Sequence, residues 1–324
     1  MIRRPPRSTL DRSSAASDVY KRQALLAPAF WSISGVTVRL MESADHWQIN
    51  CYRSASLALF VFAVLLFRYR LRYGDVLRSA GWYGLAAGSF VGLAMVCNIF
   101  ALTHTTVANA TLLMATGPLV AALIGRWVLA ERPSRGTWAA IALAVVGILI
   151  MVGGNWHVGS WAGDLTALVG VIFFGCYAVT LRLGAMRSNM IPAIFYAGVF
   201  GMIVGGGMSL WTGAGLAVPL VDLGLCVMLG VVQIGVGGLL FVSAAQTVPA
   251  VDLTLYALIE PVLAPFWTWI GVGEVPPPTT PTRLMRRACA ISSPSTVAAR
   301  RSAKNRWRSA PATSASRRRG KISH

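Results

Sequence analysis

Long apolar stretches separated by short polar connections organise this chain. A membrane span needs about 20 mostly apolar residues to cross a hydrocarbon core about 30 Å thick. Nine stretches come within a few residues of that length: α1 24–41, α2 48–67, α3 80–101, α4 105–125, α5 136–153, α6 163–182, α7 190–211, α8 220–244 and α9 249–271. Short connections make neighbouring helices antiparallel across the bilayer. Arg68, Arg70, Arg72 and Arg78, then Arg126, Arg132 and Arg135, then Arg182 and Arg187 fall in alternate connections, against little beyond Arg39 in the others. Basic residues are retained on the cytoplasmic side. The bias predicts a multi-pass protein of the cell inner (plasma) membrane with its N-terminus in the cytoplasm.

The rarer residues repeat at a displacement of 143 positions. Val36-Thr37-Val38-Arg39-Leu40 meets Val179-Thr180-Leu181-Arg182-Leu183, and Gly81 and Gly92 meet Gly224 and Gly235. Pro118 meets Pro261, Glu131 meets Glu274, and Pro133 meets Pro276. Arg, Glu and Pro are scarce inside apolar segments, so a shared register among them points to duplication. The displacement maps α1 on α6, α2 on α7, α3 on α8 and α4 on α9, giving units of five spans. Five is odd, so the second copy enters from the opposite side. The predicted fold is an all-α polytopic membrane protein built as an inverted 5+5 repeat, a design that places its substrate site near the bilayer midplane.

Composition changes the picture mainly at the two ends. The net charge of +18 suggests a nucleic-acid partner, but six of the 29 Lys/Arg lie in residues 1–22 and twelve in 277–324. The body between carries eleven basic and nine acidic residues, close to neutral. The repeat demands a partner for α5 near 279–296, yet that window reads TTPTRLMRRACAISSPST and cannot span. From Pro277 onward 36 of 48 residues are Ala, Arg, Ser, Pro or Thr, with no acid. This tail is either a disordered basic segment lying on anionic lipid or a frameshifted replacement of the tenth span. The abrupt change in composition favours the frameshift. The leader 1–22 runs into a full span without a cleavage site, and it reads as non-native sequence rather than a signal peptide. The domain reading is therefore a leader 1–22, first-repeat helices α1–α4 over 23–135, α5 over 136–153, second-repeat helices α6–α9 over 163–276, and a tail 277–324.

Several local features together resemble the drug/metabolite transporter superfamily, specifically its EamA-type ten-helix exporters. They are Tyr52-Arg53-Ser54 early in α2, Ala108-Asn109-Ala110 with Thr116-Gly117-Pro118 and Ala130-Glu131-Arg132-Pro133 along α4, Gly163-Asp164 opening α6, and Leu258-Ile259-Glu260-Pro261 with Gly273-Glu274 along α9. The resemblance covers about 24–276, and the missing tenth helix departs from it. It implies secondary transport of a small metabolite, amino-acid-like compound or drug, often outward, by alternating access between the halves. It implies no cofactor and no ATP use, and no P-loop GxxxxGK[ST] is present to contradict that.

Charge inside a span costs roughly 2.5–3.5 kcal/mol on insertion scales, so each instance needs a reason. Glu260 is expected mid-helix beside Pro261, whose missing N–H frees a carbonyl four residues back. That carboxylate suits a cationic group or a proton, which admits proton coupling. Asp252, Tyr256 and Glu260 share a stripe on α9, although Asp252 also suits a first helical turn as a dipole partner. The matching α4 stripe carries Asn109, Leu113 and Gly117, so the acid is not duplicated. Arg53 has two readings: snorkelling to the outer interface, or pairing with Glu260 or an anionic substrate. Asn98, Gln233, Tyr177, Trp31 and Trp267 are further candidates with plain readings as interhelical packing or hydrogen-bonding groups. Pro118 and Pro261 are expected helix breaks. Glu131 and Glu274 are read either as interface or gate residues at opposite faces or as solvated helix ends. Gly84, Gly88 and Gly92 on α3, with Gly201 and Gly205 on α7, have the small-xxx-small spacing of close helix packing.

Five cysteines and the histidines His46, His104 and His157 show no metal spacing. An intramembrane enzyme would need an HExxH, a GxGD with a second membrane Asp, or a nucleophile–base pair; the first two do not occur, and spacing reveals no instance of the third. A membrane sensor or packing subunit would lack the polar stripe on α9. An inactive truncated transporter remains the alternative if the tenth helix is lost. The expected partners are the lipid bilayer and a small-molecule substrate, with no nucleic acid; nothing in the sequence bears on oligomeric state.

Overall fold

Without water in the bilayer core, backbone polar groups must pair within their own segment, which helices do. The computed structural model describes residues 22–129 and 161–273, with 19–20, 135–136, 138–139, 141–143 and 146. Among the described residues the chain is all-helical. Seven helices are long and apolar enough to cross a membrane: His46–Ser79, Gly81–His104, Asn109–Val128, Trp161–Ala185, Ile191–Trp211, Leu220–Ala244 and Ala250–Val272. These are the expected α2, α3, α4, α6, α7, α8 and α9. Most of α5, Glu131, Glu274 and the tail lie outside the described residues.

The expectation of one unbroken α1 needs correction. It is helical over 22–31 and Ser34–Arg39, with a turn between. Ser32 holds that turn, donating from Oγ to the Ala29 carbonyl at 2.7 Å and accepting from Trp267 Nε1 at 3.1 Å. Helix is also already present at 19–20 and 22, inside the stretch read as leader.

The helices that carry the two prolines in register break ahead of them, at 115–116 and at 257–258, within one residue of that register. α4 runs as Val107–Met114 and Gly117–Val128, and α9 as Ala250–Tyr256 and Ile259–Val272. A proline has no N–H for the carbonyl four residues back, and its ring crowds that carbonyl. Shorter-range bonds take over at the breaks: Thr116 N–H to Leu113 O at 3.1 Å, and Leu258 N–H to Leu255 O at 3.1 Å. Pro265 sits inside the second half of α9 as well. α8 contains a π-helical segment, Leu229–Val236.

Hydrogen bonds between connections gather them at two ends. At one, Asp222 accepts from the Ser43 and Ala44 N–H groups at 3.0 and 2.9 Å, and Gln48 Nε2 donates to the Ala214, Gly215 and Ala217 carbonyls at 3.1–3.2 Å. Arg39 Nη2 donates to Thr105 O there at 2.9 Å. At the other end, Asn189 Nδ2 meets Tyr69 Oη at 2.5 Å, Tyr196 Oη donates to Leu77 O at 3.0 Å, and Arg182 Nη1 donates to Ala245 O and Gln246 O at 2.8 Å. The first end joins the α1–α2, α3–α4 and α7–α8 connections, and the second joins α2–α3, α6–α7 and α8–α9. Trp82, Trp127, Trp161 and Trp211 stand exposed at helix ends, the level at which indole rings favour a membrane interface.

The glycine spacing marks the seams around α7. A Cβ on Gly205 would stand 2.6 Å from the Cys51 nitrogen of α2, and one on Gly88 of α3 would stand 2.7 Å from the Ala193 carbonyl oxygen. α7 is thereby held against α2 and α3 at backbone distance, fixing α2 and its buried polar residues.

Candidate functional site

Arg53 lies on α2, two turns from the capping box of Asp45 and Gln48 that starts the helix. Its side chain is fully buried rather than reaching the interface, so the snorkelling reading is corrected. α7 glycines pack against α2 at Cys51, Ser54 and Ala58, and the side chain turns inward to the Met95 carbonyl of α3. Arg53 Nη2 donates to Asn50 Oδ1 at 3.1 Å and to the Met95 carbonyl at 2.9 Å, while Nε has no partner. No ion pair to Glu260 forms among the described residues. A buried cation with two neutral acceptors and no carboxylate is costly, which sets this position apart from an ordinary packing residue.

Arg53 faces a cavity of about 630 Å³, counting the space at its mouth. Of the residues singled out by sequence, Trp31, Arg53, Asn98, Tyr177, Gln233 and Glu260 line it. They come from six different helices, α1, α2, α3, α6, α8 and α9. Gln233 is buried in the π-helical segment of α8 and donates from Nε2 to the Trp31 carbonyl at 3.2 Å. Its Oε1 and the Trp31 Nε1 are buried without a partner. Asn98 Nδ2 approaches Met114 Sδ at 2.9 Å, a weak acceptor. Apolar walls complete the space. Phe174 packs edge-on to Trp31 with ring centroids 5.9 Å apart, and Phe174 and Tyr177 are also 5.9 Å apart.

Glu260 is placed differently from expectation. It lies in the first turn of Ile259–Val272 rather than mid-helix, because the break ahead of Pro261 falls at residues 257–258. The half-helix N-terminus supplies partial positive charge that favours a carboxylate there. The break also interrupts the proposed α9 stripe. Asp252 sits in the first turn of Ala250–Tyr256 and Tyr256 is that segment's last residue, and neither lines the cavity. Asn109 does not line it either; its backbone N–H donates to Thr106 Oγ1 at 3.1 Å, capping the start of α4.

A second, smaller cavity lies where the broken helices meet, lined by Thr111, Gly117 and Pro118 of α4 and by Thr254, Glu260 and Pro261 of α9. These six are three pairs at the 143-residue displacement. Within them only Glu260, opposite Gly117, is charged. Glu260, Met114 and Phe174 border both cavities. Sequence reasoning missed Asn50, Met95, Met114 and Phe174. Asn50 was accessible, since a polar residue three positions before Arg53 shares its helical face; the apolar three carry no signal that separates them from core.

Trp267 is joined to Ser32 as an interhelical hydrogen bond. His46 and His104 stand at the ends of α2 and α3 with rings 5.0 Å apart, and His46 Nδ1 lies 2.8 Å from Asp45 Oδ1. No group of three or more metal-ligating side chains occurs among the described residues.

Comparison with known proteins agrees with this architecture. The model of the EamA-like transporter family matches residues 23–153 and 161–281. The pseudopaline exporter CntI of Pseudomonas aeruginosa, in strains UCBPP-PA14 and PAO1, is 24% identical over 192 residues, covering 59% of this chain and 67% of the exporter. A solved structure described only as the crystal structure of a protein superposes with a TM-score of 0.61 at 18% identity, over 82% of this chain and 90% of its own. That likeness is one of fold.

Proposed function

We propose, from the premise that this chain belongs to the EamA-like transporter family, that it is a secondary transporter that carries a small metabolite, amino-acid-like compound or drug through the Arg53–Glu260 cavity by alternating access. The family is one of membrane transporters, and the membrane-length helices fit it. The observation that carries the mechanistic reading is the paired break. α4 and α9 are interrupted at residues 115–116 and 257–258, within one residue of the 143-position displacement, and a cavity lined by Glu260 lies at their junction. Discontinuous helices of this kind line transporter sites.

The grouping of connections supports an inverted arrangement. α2 begins at one end of the bundle and α7 at the other, and α3 with α8 and α4 with α9 do likewise. Inverted copies can exchange conformations, closing one end as the other opens. Placing the arginine-rich end in the cytoplasm gives a cytoplasmic N-terminus and an inner-membrane location. Outward transport is the direction suggested by the exporter relative. Glu260 is the group through which proton coupling would act.

Proteoliposomes holding the protein and loaded with a bacterial metabolite extract test the reading. Protein-dependent loss of particular solutes down their own gradients or against a proton gradient, without ATP, is the expected result. Solute contents identical to those of protein-free vesicles would remove the transporter reading.

A further inference from the structure

Glu260 borders a second space besides the central one, and there the repeat surrounds it with oxygens. Three residue pairs at the 143-position displacement line the smaller cavity at the α4 and α9 breaks: Thr111 with Thr254, Met114 with Ala257, and Pro118 with Pro261. The two prolines have no N–H, so the carbonyls four residues back, those of Met114 and Ala257, are denied their helical partners. Met114 ends Val107–Met114 and Ala257 caps Ala250–Tyr256, and the C-terminal end of a helix is where its dipole is negative. The Ala257 carbonyl accepts the Glu260 N–H at 3.0 Å, which engages one of its two lone pairs. Thr111 and Thr254 direct their hydroxyl hydrogens at the Val107 and Val251 carbonyls, both at 2.8 Å. Among the described residues lining this cavity, none carries a side-chain nitrogen and Glu260 alone is charged. Its carboxylate makes no hydrogen bond or ion pair among the described residues.

We infer that this smaller cavity is a site for one monovalent alkali cation, held by the Glu260 carboxylate, the Thr254 hydroxyl oxygen and the Met114 and Ala257 carbonyls. Hard cations take oxygen ligands, and carbonyls released where membrane helices are broken coordinate sodium in transporters. The charge count selects the valence. One carboxylate neutralises a monovalent ion, whereas a divalent ion would keep an excess positive charge in a medium where unpaired charge is expensive. A proton would answer the carboxylate but give the neutral oxygens nothing to bind. The site goes beyond the transporter reading and needs no substrate to fill.

Binding of radiolabelled sodium to the purified full chain in detergent tests it, with choline chloride holding ionic strength constant. The expected result is saturable binding of one sodium per chain, displaced by unlabelled sodium and not by choline. Glu260→Gln should abolish it. Thr254→Val keeps the side-chain shape but removes one oxygen, and should weaken binding at least about tenfold. Asp252 lines neither cavity, so Asp252→Asn should bind as the parent does. Absence of saturable binding, displacement by choline, or full binding in Glu260→Gln would each overturn the site. Parental affinity in Thr254→Val, or loss of binding in Asp252→Asn, would overturn it as well. The Thr254 variant decides the matter even where Glu260→Gln does not fold. Since no transported solute is added, failure here leaves the transporter reading intact, and proteoliposomes without efflux leave the cation site intact.

Discussion

Arg53→Met is expected to leave the protein folded, with a thermal midpoint within a few degrees of the parent, while protein-dependent solute efflux collapses. The substitution removes two charge-assisted hydrogen bonds, to Asn50 Oδ1 and Met95 O, each contributing roughly 1.5–3 kcal/mol. It also removes a fully buried cation that has no carboxylate partner, whose desolvation costs several kcal/mol. The two effects oppose each other and are of similar size, so stability changes by less than either. Function has no such compensation. Truncating one partner of a buried, hydrogen-bonded charge pair costs about 2–5 kcal/mol, or roughly 30-fold to several thousand-fold in affinity, and that is the loss expected for a substrate held through Arg53. Thermal unfolding in detergent and efflux from proteoliposomes read the two quantities separately. Unchanged efflux with a large fall in midpoint would make Arg53 a structural brace between α2 and α3.

Gly205→Ala should act in the opposite manner, damaging the fold first. In an open helix interior, glycine to alanine stabilises by roughly 0.8–1 kcal/mol. At Gly205 the new Cβ would stand 2.6 Å from the Cys51 nitrogen and 3.0 Å from both the Asn50 carbon and the Trp47 oxygen, all backbone atoms that cannot rotate aside. Overpacking of this kind typically costs 1–3 kcal/mol, which reverses the sign. Gly207, two residues on, would meet nothing within 4 Å, so Gly207→Ala is the matched control. The Gly205 variant should melt several degrees below the parent, and the Gly207 variant at or above it. Equal midpoints would mean that α2 and α7 are not held at backbone distance.

The spans of this chain were legible because length and hydropathy are local properties, and seven of the nine expected stretches are membrane-length helices. The break in α9 was half legible. Pro261 announced an interruption, but its position at residues 257–258 depends on which carbonyls find shorter-range partners, and that moved Glu260 to a half-helix start. Asp252 and Tyr256 were placed with Glu260 by counting residues along a continuous helix, a rule that fails across a break. Arg53, Asn98, Gln233, Trp31 and Tyr177 could be named as polar or amphipathic residues in apolar surroundings, yet their convergence from five helices was not visible. Their spacing in sequence does not encode it, because it depends on how separate helices pack around one cavity. The turn in α1 depends on Ser32 meeting Trp267, residues 235 positions apart in sequence.

Alternating exposure of the cavity is the central claim, and a cysteine at Ala94 tests it most directly. Ala94 lines the cavity and is only 4% exposed, and a thiol there adds little volume. With the five native cysteines replaced by alanine, the Ala94→Cys protein is reconstituted and treated with a membrane-impermeant thiol reagent from either side of the bilayer. The predicted result is labelling from both sides. Labelling from one side alone, or from neither, would contradict a cavity that opens alternately to the two faces of the membrane.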